Sequence, residues 1–491
     1  MSELGWRVRY VPAELTLPAR PLPFVNELPT AWSEWLADED VPAGTPYLVS
    51  PTFEYDVDLN AYFLSHQMLG AAKNTRNGYA GDVKAFLDFL WVSRRRTCWR
   101  DATEADHIAY LVWRRRDQNG PRVDDGTWDR ELAAVNSFYR WQLRAGNVAV
   151  NPIPQRPVRQ PPIESGRHRA AAGGETPATA SHGAAREKIE WLPADSYRRW
   201  RDVGMRGYTP AGLPDPAFRG RWAARNGTFC DLMVRTGMRL SEQSALTLFE
   251  LPLARGLGGY QRFWLPPVIA KGGSARWIYV PESVVADLLA YGEIDRAEVI
   301  ADARAAGRYR RVRRPFVVED PTRSRPQARQ AGGAPIKVRQ LDLGERRNLY
   351  IDGPDGLEPA AFWLSEYGLP MAVSSWKGLF GEANKRCAGH GLALRAHAHM
   401  LRHTFAVITL EQMQRGHIAN LAKLEPAQRE HYTRVFGDPP DWVRRRLGHR
   451  SVTTTHIYFH CLAELEMETR LALVPDAWED PRDTALSRIA V

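Results

Sequence analysis

The spacing of apolar and polar residues between positions 52 and 152 predicts a bundle of three amphipathic helices. In NTRNGYAGDVKAFLDFLW, TEADHIAYLVWRRR and DGTWDRELAAVNSFYRWQLRAG, apolar residues recur about every 3.6 positions, so each stretch presents one apolar face. Thr103 and Asp106 have the spacing of a capping box at the start of the second helix. Gly146 is in position to end the third.

The flanking sequence indicates three further regions. Residues 1–51 are rich in proline and predict an irregular N-terminal extension, and residues 153–188 lack apolar periodicity, as expected of a linker. A second globular region should extend over 189–491. Within it, RFWLPPVIAKGGSARWIYVP predicts a hairpin around a Gly-Gly turn, and most of the remainder predicts helix. The expected fold is mainly α: a helical bundle followed by a mostly helical domain with a small antiparallel sheet.

Composition narrows the class of protein. With 44% hydrophobic residues and 17 Trp, the chain is not disordered overall. It has no run of about 18 apolar residues that could cross a membrane, and its first residues lack the apolar core of a secretory signal. The four cysteines are widely spaced, which fits reduced thiols and offers no paired zinc ligands. We expect a cytoplasmic protein without membrane contact.

The charge distribution favours a polyanionic partner. The net charge is +9, and residues 304–347 contain 13 Arg or Lys against 4 Asp or Glu. This segment is either a solvated, partly disordered loop or a surface for phosphate backbones, and composition leaves both open. The candidate DNA contacts are Arg310, Arg311, Arg313 and Arg314, with Thr75 and Arg76 at the start of the first predicted helix.

The stretch HAHMLRHTFA, which begins at His397, gathers three of the chain's 13 histidines beside Arg402. His399 and His403 have the i, i+4 spacing of metal ligands on a helix. A zinc-peptidase helix needs glutamate directly after the first histidine, however, and Met400 stands there. The alternatives are histidines with a structural role and a site that binds phosphate.

Two other segments decide between these alternatives. TGMRLSEQSAL places Arg239 after a glycine-containing turn, and RRRLGHRSVTTTHIYFH places Tyr458 nine residues after His449. The order of arginine motif, hairpin lysine, His-x-x-Arg, Leu-Gly-His and tyrosine resembles the tyrosine recombinases, also called the lambda integrase family. The ordered set is very specific, and the resemblance covers roughly residues 55–152 and 190–475. It implies a core-binding domain at 52–152 and a catalytic domain at 189–491.

The resemblance implies a role for each matching residue. Arg239 and Arg402 would bind the scissile phosphate, Lys271 would be the catalytic lysine, and Tyr458 would be the nucleophile. His399 and His449 are the histidines of the two His-containing motifs, and Glu242 would support Arg239. The implied catalytic set is Arg239, Lys271, His399, Arg402, His449 and Tyr458.

The chemistry of these residue types fits the implied reaction. Two guanidiniums offer planar forks of donors to the non-bridging oxygens, whose charge grows in the transition state. Tyrosine has a pKa near 10, so it needs positive potential or a proton acceptor, which the arginines and His399 would provide. A lysine can protonate the departing 5′-oxygen. No metal or cofactor is required. His403 and Thr404 are expected to pack or hydrogen-bond behind the reacting groups.

The resemblance implies a site-specific DNA recombinase that forms a 3′-phosphotyrosyl intermediate and a Holliday junction. It would act as a tetramer on two double-stranded DNA sites, associated with the nucleoid and aided where needed by DNA-bending proteins. Two departures stand out: a long connection over 411–442 and a basic insertion near 300–347. An amphipathic helix near 461–474 would dock on a neighbouring protomer. The rival interpretations are a type IB topoisomerase and a catalytically idle DNA-binding protein.

Overall fold

The structure is a computed structural model that forms two compact units, residues 1–187 and 188–491. Side chains are described for all of the following residues except 416–421. The described residues are 5–15, 31–96, 98–157, 175–181, 189–220, 222–252, 259–421, 425, 439–449, 455, 458 and 461.

The first unit is built around the three predicted helices. Its elements are β1 (Arg7–Tyr10), α1 (Trp32–Asp38), β2 (Pro46–Val49), α2 (Val57–Ala61), α3 (His66–Leu69), α4 (Lys73–Ser93), α5 (Glu104–Arg115), α6 (Asp125–Arg144), β3 (Gln155–Pro157) and β4 (Glu175–Pro177). The apolar faces of α4, α5 and α6 meet in an aromatic core that includes Phe86, Tyr110 and Phe138. The capping box of Thr103 and Asp106 is present at the start of α5, as predicted.

In its described residues, 5–15 and 31–51, the N-terminal region is not the irregular extension that its proline content predicted. Strands β1 and β2 pair in an antiparallel sheet that packs on the bundle. Leu48 of β2 is fully buried, and its backbone N–H donates to Asn60 Oδ1 at 2.7 Å. Likewise, the N–H of Trp6 donates to Asp88 Oδ1 at 2.7 Å. The interpretation was wrong because these contacts join positions that are far apart in sequence.

The described ends of the predicted linker belong to the first unit. Strands β3 and β4 pair antiparallel, and the indole N–H of Trp128 donates to the backbone oxygen of Thr179 at 2.9 Å. The backbone N–H of Ser181 donates to Asp129 Oδ1 at 2.7 Å. Residues 153–157 and 175–181 are therefore held on α6, and the simple linker interpretation fails for these described parts.

The second unit is mostly helical. Its elements are α7 (Ala194–Trp200), α8 (Ala223–Thr236), α9 (Leu240–Ser244), β5 (Tyr260–Leu265), β6 (Arg276–Pro281), α10 (Glu282–Glu293), α11 (Asp295–Ala305), β7 (Phe316–Val318), β8 (Gln327–Gln330), β9 (Ile336–Lys337), α12 (Leu343–Arg347), β10 (Leu349–Gly353), β11 (Gly356–Pro359), α13 (Val373–Gly389), α14 (Ala398–Leu421) and α15 (Pro439–Leu447). Buried aromatic rings on α8 and α13, such as Phe229 and Trp376, stack at its centre with ring centroids 3.5 Å apart.

Strands β5 and β6 form the predicted hairpin, with Leu265 paired to Arg276 at its closed end. Leu265 and Ile278 face the core, whereas Trp264 and Trp277 on the opposite face are more than two-fifths exposed. The alternation of sides fixes the register of the hairpin. Because the register sets where the two strands end, it also sets the position of the turn that contains Lys271.

The basic segment is a folded sheet rather than a loop. Strands β7 to β11 form a five-stranded sheet of order β11-β10-β7-β8-β9, in which only β10 and β7 are parallel. The sheet has its own small core around Val318 and Leu349. Arg346 anchors it, because this buried side chain donates to Glu250 Oε1 at 2.8 Å. A partly disordered loop is therefore the wrong interpretation of 304–347.

The fold class is mainly α with small sheets, as expected. The part of the chain that the structure describes contains no helix that is both long and apolar enough to span a bilayer.

Candidate active site

Arg239 is held where α8 turns into α9. Helix α8 ends at Gly237, whose φ of +64° is the left-handed conformation that favours glycine. A Cβ there would also lie 2.4 Å from the ring of Phe405 on α14, so the turn can approach that helix only with glycine. The chain then enters α9, where the Glu242 carboxylate accepts from the Arg239 backbone N–H at 2.9 Å and from its Nη1 at 2.8 Å.

Arg402 ties three segments together from the first turns of α14. It is 2% exposed, and its guanidinium donates to the backbone oxygens of Gly237 and Leu447. The arginine turn and the Leu-Gly-His turn, more than 200 residues apart, are thus bridged by the His-x-x-Arg helix. Burial and the neighbouring charge of Arg239 lower the pKa of Arg402 to about 9, so the side chain is still protonated at neutral pH.

Glu242 is the buried carboxylate of the site, and it is shared with an arginine that the sequence interpretation missed. Arg276, the first residue of β6, donates to Glu242 Oε2 at 2.7 Å and to the backbone oxygen of Arg446 at 2.8 Å. Burial would raise the pKa of Glu242, but Arg276 and Arg239 outweigh it and lower that pKa to about 2. The sequence did carry a signal for the burial of Arg276. Alternate residues of a strand point to the same face, so Arg276 shares its face of β6 with the buried Ile278 and Val280.

Lys271 stands in the hairpin turn beside the arginine site. Its backbone N–H lies 3.4 Å from Glu242 Oε1, and Gly272 and Gly273 follow it with positive φ. The lysine is exposed, and its charge contributes to lowering the pKa of His399. The turn therefore brings an exposed cation to the edge of the group formed by Arg239 and Glu242.

His449 follows α15 through Gly448, whose φ is +66°. Its Nδ1 lies 3.1 Å from Thr455 Oγ1, and its ring is nearly parallel to that of Tyr458, with centroids 6.3 Å apart. Burial, followed by the charges of Arg402 and Arg239, lowers the pKa of His449 to about 4. The histidine is consequently neutral at pH 7.

Tyr458 lies inside this group of residues. The side chain is 1% exposed, and its hydroxyl oxygen is 2.9 Å from His403 Nδ1. Burial raises the pKa of Tyr458 to about 12, although the charges of Arg402 and Arg239 act in the opposite direction. The expectation that His403 packs or hydrogen-bonds behind the reacting groups is met only in that it forms a hydrogen bond, whose partner is the Tyr458 hydroxyl itself. Thr404 does lie behind them: it is buried and accepts from the backbone N–H of Leu192 at 2.9 Å.

The charges of the site favour an anionic ligand. Arg402 has no carboxylate partner among the described residues. Arg239 has Glu242 as its only side-chain partner there, so its remaining N–H groups can bind an external oxygen. Within the described residues, no three His, Cys, Asp or Glu side chains are arranged to hold a metal ion. His399 instead meets His403 edge to face, with ring centroids 4.3 Å apart.

The candidate DNA contacts lie on both units. Arg310, Arg311, Arg313 and Arg314 are exposed and have no acidic partner among the described residues. In contrast, Arg323 in the turn between β7 and β8 pairs with Asp320, and Arg329 on β8 pairs with Glu319. On the first unit, Thr75 is exposed on the first turn of α4, and Arg76 is half-buried, with its Nε lacking a hydrogen-bond partner.

Two predicted features fall largely outside the described residues. The connection 411–442 is described over the end of α14, at residue 425 and at the start of α15. The predicted docking helix near 461–474 is described only at Cys461, which is buried.

Comparison with known sequences gives matches that span both units. The family described as "Phage integrase, N-terminal SAM-like domain" matches residues 60–146. Tyrosine recombinase XerC of Roseiflexus sp. (strain RS-1) is 24% identical over 391 residues, which is 79% of this chain and 84% of that protein. Over most of its length the chain is therefore similar in sequence to the tyrosine recombinases. Tyrosine recombinase XerD of Shewanella oneidensis is 23% identical over 231 residues, which is 47% of this chain and 61% of that protein.

Solved structures of similar proteins include the XerH recombinase bound to its difH substrate in a pre-cleavage complex. The match covers 87% of this chain and 86% of XerH, with a TM-score of 0.43 and 15% identity. A lambda integrase tetramer bound to a Holliday junction matches over 82% of this chain and 76% of its own, with a TM-score of 0.40 and 13% identity.

Proposed function

We propose that this recombinase cuts and rejoins double-stranded DNA at specific sites through a 3′-phosphotyrosyl intermediate formed on Tyr458. The observation that carries the proposal is a buried tyrosine hydroxyl 2.9 Å from Nδ1 of His403, the residue after Arg402, whose guanidinium donates to the backbone oxygen of Gly237 in the turn that carries Arg239. A phosphodiester bound by the two guanidiniums would stand next to the nucleophile. The covalent linkage conserves the energy of the broken bond, so a DNA hydroxyl can attack it and reseal the strand.

The two arginines would act on the transition state. A phosphodiester carries one negative charge and gains another as the tyrosine adds to phosphorus. Arg239 is oriented by Glu242, and Arg402 by two backbone carbonyls, so both are fixed before DNA arrives. Donors that are already in place stabilise the developing charge without reorganisation during the reaction. His399 and His449 would complete the surroundings of the phosphate as neutral hydrogen-bonding groups.

Lys271 would protonate the departing 5′-oxygen. Lys271→Ala should cleave an ordinary phosphodiester at least about a hundredfold more slowly, because a general acid matters most for a poor leaving group. With sulfur at the bridging 5′ position, the thiolate leaves without a proton, so Lys271→Ala should cleave that substrate at nearly the wild-type rate. Single-turnover cleavage of the two substrates measures the difference.

Arg239→Ala is the control for this comparison. Arg239 would act on the non-bridging oxygens, and their charge is the same whether oxygen or sulfur occupies the bridging position. The variant should remain slow on both substrates. If sulfur failed to accelerate Lys271→Ala, another residue would be the acid.

The four exposed arginines at 310–314 would contact the DNA backbone. Replacing Arg310, Arg311, Arg313 and Arg314 by Ala should weaken binding to all sequences alike. The slope of log affinity against log salt should decrease by up to about 0.9 for each DNA phosphate that the variant no longer neutralises. The matched control is the double replacement of Arg323 and Arg329, which already have acidic partners. An equal change in slope for both variants would mean that the four arginines form no specific DNA-binding surface.

Assembly follows from the reaction. Site-specific exchange needs two duplexes cut together, so we propose a tetramer on two DNA sites, with strands exchanged through a four-way junction. The segment near 461–474 would join neighbouring protomers, and the enzyme would act at the nucleoid. DNA-bending proteins are partners that the reaction allows but does not require.

The test begins with duplexes taken from the DNA that flanks the gene. Purified enzyme is incubated with them, covalently bound DNA is recovered and sequenced, and two copies of the recovered site are then supplied. The expected products are a four-way junction and duplexes with exchanged flanks. Relaxation of plasmids lacking the site, without exchange, would instead identify a topoisomerase. Binding without a covalent adduct would identify an idle DNA-binding protein.

A further inference from the structure

The Tyr458 hydroxyl has a single hydrogen-bond partner among the described residues, and it is not His399. Nδ1 of His403, one turn further along α14, lies 2.9 Å from the hydroxyl oxygen. His399 makes no hydrogen bond to the tyrosine and meets the His403 ring edge to face. His449 lies parallel to the tyrosine ring, and its Nδ1 faces Thr455. His399 and His449 therefore flank the pair of His403 and Tyr458.

We propose that His403 is a catalytic residue of the recombination reaction, whose Nδ1 takes the proton of Tyr458 as the tyrosine oxygen bonds to phosphorus. The inference rests on the function proposed above and deepens it. In the cleavage step the O–H bond of Tyr458 breaks, its proton moves to His403, and its oxygen forms the new bond to phosphorus. The bond from phosphorus to the 5′-oxygen breaks, and that oxygen takes a proton from Lys271.

The rejoining step reverses each transfer. The 5′-hydroxyl of the incoming strand gives its proton to Lys271 and bonds to phosphorus. The bond from phosphorus to the tyrosine oxygen breaks, and that oxygen regains its proton from His403. No oxidant, metal or nucleotide enters the balance, and the site returns to its starting state.

The surroundings of His403 prevent this transfer when DNA is absent. Burial, followed by His399, Arg402, His397 and His449, lowers the pKa of His403 to about 3. The pKa of Tyr458 is raised to about 12, so in the free enzyme the proton stays on the tyrosine. A phosphodiester bound to the arginines brings a negative charge that offsets theirs and raises the pKa of the histidine. Activation of the nucleophile is thereby coupled to the arrival of the phosphate.

The test separates proton transfer from mere positioning. His403→Asn places an amide oxygen close to the position of Nδ1, so it can still accept the hydrogen bond but has almost no basicity. The nicked form of the recovered DNA site traps the adduct, and its first-order rate of formation is followed within the pre-formed complex. Only folded, DNA-bound enzyme then enters the measurement.

We expect His403→Asn to form the adduct at least about a hundredfold more slowly than wild type at pH 7. Between pH 7 and 9 the wild-type rate should change little, because its acceptor is already neutral. The rate of the variant should rise about tenfold per pH unit, because hydroxide must now remove the proton. The matched control is His390→Asn, which should leave the rate unchanged: His390 lies 3.0 Å through Nε2 from Asp215 Oδ2 and is not among the groups that shift the pKa of His403 or Tyr458.

The outcomes distinguish the inference from the function on which it rests. A His403→Asn rate within threefold of wild type, or a slow rate with an unchanged pH profile, would overturn the role of His403 while leaving the recombinase intact. Absence of an adduct from the wild-type enzyme would overturn the proposed function itself.

Discussion

Tyr458→Phe is expected to abolish the covalent protein–DNA adduct while leaving DNA binding nearly unchanged. The substitution removes one hydroxyl from a buried ring and with it the hydrogen bond to His403. Such a loss costs the folded protein on the order of 1 kcal/mol, which is far less than its total stability. The reaction, in contrast, loses the atom that would bond to phosphorus. Adduct yield on the nicked substrate and affinity in a binding assay measure the two effects separately.

The matched control is Tyr197→Phe, which removes a hydroxyl that donates to Asp231 Oδ1 at 2.7 Å from another buried ring of the same unit. It should form the adduct normally. A wild-type yield of adduct from Tyr458→Phe would show that the nucleophile is elsewhere, and Tyr432 would be the next tyrosine to replace.

The elements that sequence predicted well are those whose information is local. The three bundle helices each carry an apolar face, and the box of Thr103 and Asp106 is complete within four residues. The β5–β6 hairpin is likewise specified by alternation and by its own glycine turn. The pairing of strands that are far apart in sequence left no comparable local pattern. β1 pairs with β2 across a gap of more than 30 residues, and the strand Gln327–Gln330 has the sequence QARQ, which contains no apolar alternation.

The candidate site shows the same difference between local and long-range information. The resemblance to the tyrosine recombinases pointed to Arg239, Arg402 and Tyr458, whose roles remain proposals, but residue types and spacing alone are less informative. They could not show which histidine faces the tyrosine, because His399 and His403 lie on one helix and differ only by a turn. That choice depends on where Tyr458 enters the site, which is a property of the tertiary structure. Arg276 was missed although its strand position carried a signal, since a charged residue on an apolar face requires a buried partner.

Replacing the buried Glu242 should have the second largest effect, on both stability and cleavage. Glu242→Ala leaves Arg276, which is 6% exposed, without its carboxylate, and removes the acceptor that orients Arg239. Breaking a buried ion pair from one side typically costs about 3–5 kcal/mol of unfolding free energy. We therefore expect a large loss of stability together with loss of cleavage. The matched control is Glu382→Ala, which breaks an exposed pair with Lys385 and should cost at most about 1 kcal/mol. Equal costs for the two variants would contradict this assignment.

The ionisation of Glu242 also makes the unfolding free energy of the protein depend on pH. The pKa of Glu242 is lowered from its usual 4.5 to about 2, so the folded state binds the proton less readily than the unfolded chain. The stability that this carboxylate contributes is complete above pH 4.5 and is lost as the pH falls towards 2. Glu242→Gln has no such proton to bind. The difference in unfolding free energy between wild type and Glu242→Gln should thus shrink by about 1.4 kcal/mol between pH 7 and pH 3.5, as measured by urea unfolding. A difference that stayed constant over this range would mean that the carboxyl is not held ionised by Arg276 and Arg239.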